Sequence, residues 1–169
     1  MAEAYLSGAH APVSGERTVQ DLPVKGRLPE ELSGLFARNS ANPQFEPKGR
    51  YHWFDGDGMI HGVHLDGGRA HYRNRYIRTR QFQAEQEAGC ALWSGILEPL
   101  DLGNPLGPMK DTANTDLVFH NGQLLALWWL SGQPQAISVP DLETRGPAVF
   151  EGQLRHSVAA HAKVDPRSG

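Results

Sequence analysis

Apolar and polar residues alternate along most of this chain in short runs, each closed by a turn pair. The clearest run begins at Met59, where Val63 and Leu65 follow at even spacing before Gly67-Gly68 interrupts. A two-residue Gly-Gly loop needs positive φ, which glycine adopts at no steric cost, so it predicts a hairpin. That hairpin pairs Asp66 with Arg69, Leu65 with Ala70 and His64 with His71. In this register Met59, Val63, Leu65, Ala70, Tyr72 and Tyr76 share an apolar face, and His64, His71, Arg73 and Arg75 a polar one. Asn121-Gly122 predicts a second hairpin between Thr115–His120 and Gln123–Trp129.

Weaker patterns fill the rest of the chain. Ala136–Val139 and Ala148–Leu154 predict strands, separated by the Pro140-Asp141 turn and by Arg145-Gly146-Pro147. Leu28–Gly34 predicts one helical turn and Leu35–Arg38 a strand, while Asn39–Arg50, with its Asn-Pro and Glu-Pro pairs, predicts loop. Tyr51–His61 crowds three aromatic rings and two histidines around a double Asp-Gly and reads as strand, tight turn, strand, with Asp55 and Asp57 as turn formers. Only Gln81–Trp93 has helical spacing, through Phe82, Ala88, Ala91 and Leu92. Residues 1–20 show no periodicity and read as a flexible N-terminal arm, which leaves 21–169 as the folded unit.

Composition narrows the class. Nineteen Gly and twelve Pro among 169 residues fit short strands joined by frequent turns, as in a barrel, sandwich or propeller. At roughly 40–50 residues per propeller blade, the chain has room for three or four blades and not for a closed ring. With 39% hydrophobic and 21% charged residues it is neither disordered nor membrane-embedded, and no apolar run nears the ~20 residues of a spanning helix. No basic start leads into an apolar stretch, and Cys90 is the one cysteine, so a cytoplasmic location is expected. The net charge of −3, without a Lys/Arg block, excludes a nucleic-acid partner.

Eight histidines invite a metal reading, which geometry reduces. His61 and His64 lie three apart, and on a strand such positions point to opposite faces. His64 and His71 face each other across the hairpin, but Arg73 and Arg75 make that surface poor for a cation, so a structural role is expected. His10, His120 and His156 have no ligand partner at recognisable spacing, and His52 reads as a satisfied histidine beside Trp53. Asp55 and Asp57 open a calcium-loop pattern that lacks its later ligands. Cys90 reads as a small buried hydrophobe, and Trp128 and Trp129 as part of a buried strand. No Walker loop, dinucleotide fingerprint or nucleophile elbow occurs. On chemistry alone, His161 is an ordinary histidine near a turn.

Several segments together resemble the N-terminal part of the carotenoid cleavage oxygenase family, which includes apocarotenoid and lignostilbene dioxygenases. They are Leu28–Gly34, Phe36–Pro43, Tyr51–His61, Tyr72–Thr79, Lys110–Thr115, Asp141–Gly146 and Ala159–Pro166, in family order. The resemblance implies an all-β fold with one short helix: the first blades of a seven-bladed β-propeller, incomplete over 21–169. It further implies an iron(II) ion (Fe2+) held by four histidines, of which His161 matches the first, and no catalytic or other cofactor-binding residue in this chain. Dioxygen would cleave a conjugated C=C bond of a carotenoid or apocarotenoid into two carbonyl products. The alternatives are a stilbenoid substrate or a non-catalytic propeller remnant. The chain departs from the family pattern at Asn39-Ser40-Ala41-Asn42-Pro43 (usually Asn-Gly-Pro-Asn-Pro) and at His161-Ala162-Lys163 (usually His-Pro-Lys). A glutamate that supports a ligating histidine is usual near Trp129, and indole cannot accept that bond.

Overall fold

The structure is a computed structural model and describes residues 5–168. Eight strands and one helix follow in the order β1 (Arg17–Val19), β2 (Gly34–Ala41), β3 (Gly58–Asp66), β4 (Arg69–Tyr76), α1 (Arg80–Ala88), β5 (Asp116–His120), β6 (Gln123–Leu127), β7 (Gln135–Ile137) and β8 (Thr144–Pro147). They form two four-stranded antiparallel sheets, ordered β1-β4-β3-β2 and β5-β6-β7-β8. The second is a simple four-stranded meander; in the first, β2-β3-β4 meander and β1 is added beside β4, at the edge opposite β2, and the two sheets meet beside β2 and β5. The all-β class with one short helix is as expected.

Local turn chemistry explains what was predicted correctly. Gly67 (φ +53°) and Gly68 (φ +74°) close the first hairpin in the expected register, Asp66 opposite Arg69 and His64 opposite His71. Asn121 and Gly122, both at positive φ, close the second. Leu28–Gly34 contains a single turn, in which Leu32 N–H donates to Pro29 O.

Other expectations need correction. Arg17–Val19, assigned to the flexible arm, forms β1, because Asn74 reaches out from β4 to dock it. Its Oδ1 accepts from Arg17 N at 2.7 Å and its Nδ2 donates to Gly15 O at 3.0 Å. β2 continues through Asn39–Ala41, predicted as loop. Tyr51–Phe54 is no strand: Trp53–Asp55 forms a 3₁₀ turn in which the His52 ring accepts from Phe54 N–H and Asp55 accepts from His52 N–H. Such reciprocal capping satisfies the backbone without a strand partner. The last strand is Thr144–Pro147, not Ala148–Leu154, which turns back through Phe150 and Glu151 at positive φ. Gly146 (φ +116°) therefore sits inside a strand, next to a register irregularity. The helix stops at Ala88 because Gly89 takes the left-handed conformation (φ +70°) and donates to Glu85 O. Cys90 is exposed, not buried.

The two faces of the first sheet also exchange roles. The face carrying His64, His71, Arg73 and Arg75 also carries Ile60 and Gly62, and it is the one that packs on the second sheet. Ile60, Ile77, Ala113, Leu124, Ala126, Ile137 and Leu142 form the shared core. Gly62 makes room for this: a Cβ there would lie 2.8 Å from Leu142 Cδ1 and 3.1 Å from Leu35 Cδ1. The arginines cross the same boundary, Arg73 to Asp141 at 2.7 Å and Arg75 to Glu143 at 2.8 Å. On the opposite face Met59 and Asn74 are fully buried, with Asn74 Nδ2 on Gly15 O of the N-terminal segment.

A buried ion cluster joins the segments around this core. Lys110 Nζ lies 2.7 Å from Asp57 Oδ1 and 2.5 Å from Glu85 Oε2, and both carboxylates are 2% exposed. Burial pushes the Lys110 ammonium down, but the two carboxylates outweigh it and hold the group above its ordinary value. Asp57, expected as a turn former, is thus an ionic partner and also accepts from Gln44 N–H at 3.1 Å. Lys110→Met is expected to cost about 3–5 kcal/mol in denaturant unfolding, because it leaves two buried carboxylates without a counter-charge.

Asp111 lies next to this cluster in sequence and behaves differently. Burial pushes its carboxyl up to about 6 from the ordinary 3.8, against two backbone donors, Ala113 N–H and Gln133 N–H. The folded chain therefore holds a proton that the unfolded chain releases, so this group's contribution to stability falls as pH rises from about 4 to 6. Asp111→Asn is expected to flatten the pH dependence of the unfolding midpoint across that window.

Candidate functional site

An aromatic pocket forms where the Asp-Gly loop meets the end of β6. The 3₁₀ turn at Trp53–Asp55 presents Phe54, and Asn114 Nδ2 fixes the loop by donating to Phe54 O at 3.0 Å and Gly56 O at 2.7 Å. Trp128 and Trp129 follow β6 directly, and Trp129 N–H donates to Thr115 Oγ1 at 2.9 Å. The Phe54 and Trp129 rings lie 5.6 Å apart at 44°, and Trp128 and Trp129 lie 6.0 Å apart at 68°. Tyr51, Trp93, Asp57, Glu85 and Lys110, with Lys48, Arg50 and Asp55, are among the other residues that wall a cavity of about 50 Å³. The arrangement sets flat aromatic surface beside charged side chains of both signs. The sequence pattern read Trp128 and Trp129 as strand residues, with Trp129 near the place of a usual glutamate, and gave Lys110, Asn114 and Thr115 no role beyond a segment of the resemblance. Their juxtaposition with Phe54 spans some 60 residues of chain, and no local spacing signals it.

His161 lies at the outer boundary of the second sheet. Val158 and Ala159 bridge to Gly132 and Trp128, and Ala160 N–H donates to Trp128 O at 3.1 Å. That pairing carries His161 to Asp116 at the start of β5. Its backbone N–H donates to Asp116 Oδ2 at 3.0 Å, with ring Nδ1 3.5 Å from the same oxygen. The imidazole is 70% exposed, and the residue takes positive φ (+64°).

The other histidines do not join it. His61 sits between Ser40 Oγ (3.0 Å) and Tyr72 OH (2.8 Å), and burial, with Arg38 nearby, pushes its ring down towards the neutral form. His64 and His71 have ring centroids 6.3 Å apart, and His71 Nδ1 accepts from Asp21 N–H. His52 caps the 3₁₀ turn. Among the described residues, no group of three or more His, Cys, Asp or Glu side chains could hold a metal ion. One exposed imidazole does not hold iron(II) against water, so the residues of this chain do not by themselves fit that ion.

Comparison with known proteins assigns the architecture. The model of the retinal pigment epithelial membrane protein family matches residues 10–169. Carotenoid 9,10(9',10')-cleavage dioxygenase 1 of Arabidopsis thaliana is 42% identical over 189 residues, covering 98% of this chain and 34% of that protein. Among solved structures, the lignostilbene dioxygenase of Pseudomonas brassicacearum superposes with a TM-score of 0.81 at 35% identity, over 90% of this chain and 32% of its own. A variant and a cobalt-substituted form of the Synechocystis apocarotenoid oxygenase each give 0.72 at 31% identity, over 86% of this chain and 32% of theirs. The chain thus spans about a third of the length of the relatives it matches, and its two sheets are blades of a partial propeller. It belongs to the retinal pigment epithelial membrane protein family, that of the carotenoid cleavage oxygenases.

Proposed function

We propose that this chain is the opening part of an iron(II)-dependent oxygenase that cleaves a conjugated C=C bond of a carotenoid or apocarotenoid. One O₂ is consumed, each alkene carbon gains one oxygen, and two carbonyl products leave. The reading is carried by the aromatic pocket of Phe54, Trp128 and Trp129, built on the strand end to which the His161 segment is bridged. His161 would supply one imidazole to the iron, and the remaining ligands would come from residues outside this chain. The chain's own residues bind and orient: Asn114 fixes the loop that carries Phe54, and Thr115 fixes the backbone of Trp129. A stilbenoid is the second reading, favoured by the higher TM-score of the lignostilbene dioxygenase. A non-catalytic remnant is the third, favoured by the position of His161, whose exposed ring lies beside a carboxylate, Asp116. No helix among the described residues is long and apolar enough to cross a membrane. A cytoplasmic location is part of the proposal, supported by the single cysteine.

Metal analysis and product detection separate these readings. The 169-residue chain alone is expected to retain no stoichiometric iron after desalting. A longer protein that continues this chain through the rest of the propeller is expected to bind iron and convert an apocarotenal to two shorter carbonyl compounds. His161→Ala in that protein should lower iron content and turnover by at least the ~10–100-fold that loss of a mere supporting residue costs. Full iron occupancy in the variant would remove His161 from the ligand set, and no cleavage of apocarotenals or stilbenoids would leave the remnant reading.

A further inference from the structure

The segment that carries His161 docks on the turn between β6 and β7. Gly132 and Val158 exchange both backbone hydrogen bonds there, Val158 N–H to Gly132 O at 2.9 Å and Gly132 N–H to Val158 O at 3.3 Å. His161 lies three residues beyond Val158. The turn itself holds Ser131 at φ +87°, and a non-glycine residue keeps such a conformation only where its surroundings impose it.

A buried carboxylate meets the turn at this point. Asp111 Oδ2 accepts from Gln133 N–H at 3.1 Å and Oδ1 from Ala113 N–H at 3.1 Å, so one side chain joins the strand entering the second sheet to the turn leaving β6. Gly132 lies flat against the same group: a Cβ there would overlap Oδ2 and sit 2.6 Å from Cγ. Gly132 does not take a positive φ, so the close approach of Asp111, and not its own backbone, calls for glycine. Burial raises this carboxyl to about 6. An apolar residue would avoid that cost but could accept neither backbone donor. Lys110, clamped between Asp57 and Glu85, fixes the chain on which Asp111 stands.

We infer that Asp111 is a positioning residue for His161: through Gly132 and Val158 it sets where the chain delivers that imidazole. The inference rests on the reading of His161 as a metal ligand. Two other contacts fasten the same segment, Ala160 N–H on Trp128 O and His161 N–H on Asp116 Oδ2. Loss of Asp111 therefore displaces and loosens the segment locally without releasing it.

Amide hydrogen exchange and amide NMR of the 169-residue chain near neutral pH test this. Asp111→Ala is expected to speed exchange at Val158 by at least about tenfold, the equivalent of one hydrogen bond to a charged acceptor, and to shift the His161 resonances. Amides of the β3–β4 hairpin should exchange as in wild type. Gly132→Ala should reproduce both effects, because its methyl meets the carboxylate. In the double variant the shortened side chain leaves room for that methyl, so the two effects should not add. If Asp111→Ala shows no cooperative melt, Asp111→Asn, which keeps one acceptor, should give a smaller change at the same amides. Unchanged Val158 exchange and His161 resonances overturn the inference. Equal acceleration throughout the chain, the mark of a purely structural role, overturns it as well, as do additive effects in the double variant. None of these readouts needs metal, so they stand apart from the iron content of the His161→Ala protein. That measurement can remove His161 from the ligand set while the path from Asp111 to Val158 remains.

Discussion

Around Lys110 the chain has to solve a problem of charge before it can pack. The ammonium belongs to the segment leading into the second sheet, Asp57 to the loop entering β3, and Glu85 to the helix after β4. Bringing all three together fixes segments that share no ladder hydrogen bonds. Each carboxylate also binds backbone with its remaining capacity, Asp57 from Gln44 N–H and Glu85 from Leu92 N–H, so the cluster organises two loops beyond its own members. Gly58 N–H reaches Thr112 O two residues beyond Lys110, and Ile77 N–H reaches Gly58 O, which ties the first hairpin to that segment. The pocket wall, the Phe54 turn and the join between the sheets all sit on this anchor.

The first sheet shows how one blade serves two kinds of neighbour. Towards the second sheet it offers Ile60 and a bare Gly62, ringed by arginines that find Asp141 and Glu143. Towards the N-terminal segment it offers Met59 and Asn74, and there the Asn74 side chain adds to the β1–β4 pairing by bonding Arg17 N–H and Gly15 O. Apolar contact supplies most of the adhesion on the first side and directed hydrogen bonds set register on the second. The second sheet has a similar division: Leu124 and Ala126 face the shared core, while Leu125 and Leu127 pack with Val158 and Ala160.

What the sequence revealed follows the range of the forces involved. Gly67-Gly68 and Asn121-Gly122 specify their turns within four residues, so both hairpins, and the register of the first, could be read directly. The His52 and Asp55 cap is equally local, but it uses side chains that alternation alone assigns to a strand. Alternation separated the two faces of the first sheet without showing which one meets a partner, because that depends on residues beyond position 110. Asp57 looked like a turn residue since its partner lies 53 positions away. His161 was singled out by resemblance, and its contact with Asp116 is a product of the bridge to β6 that no spacing encodes.

Gly62 has a geometric consequence for the molecule as a whole. The distance between the sheets is set where β3 lies against Leu142, and the limit there is the absence of a single carbon atom. Sheets arranged about a common axis each inherit their orientation from the one before. A methyl group at this position would press on the side-chain ends of Leu142 and Leu35, which would have to move to admit it. One bare backbone position thus acts as a gauge for how closely Leu142 and Leu35 approach the β3 backbone.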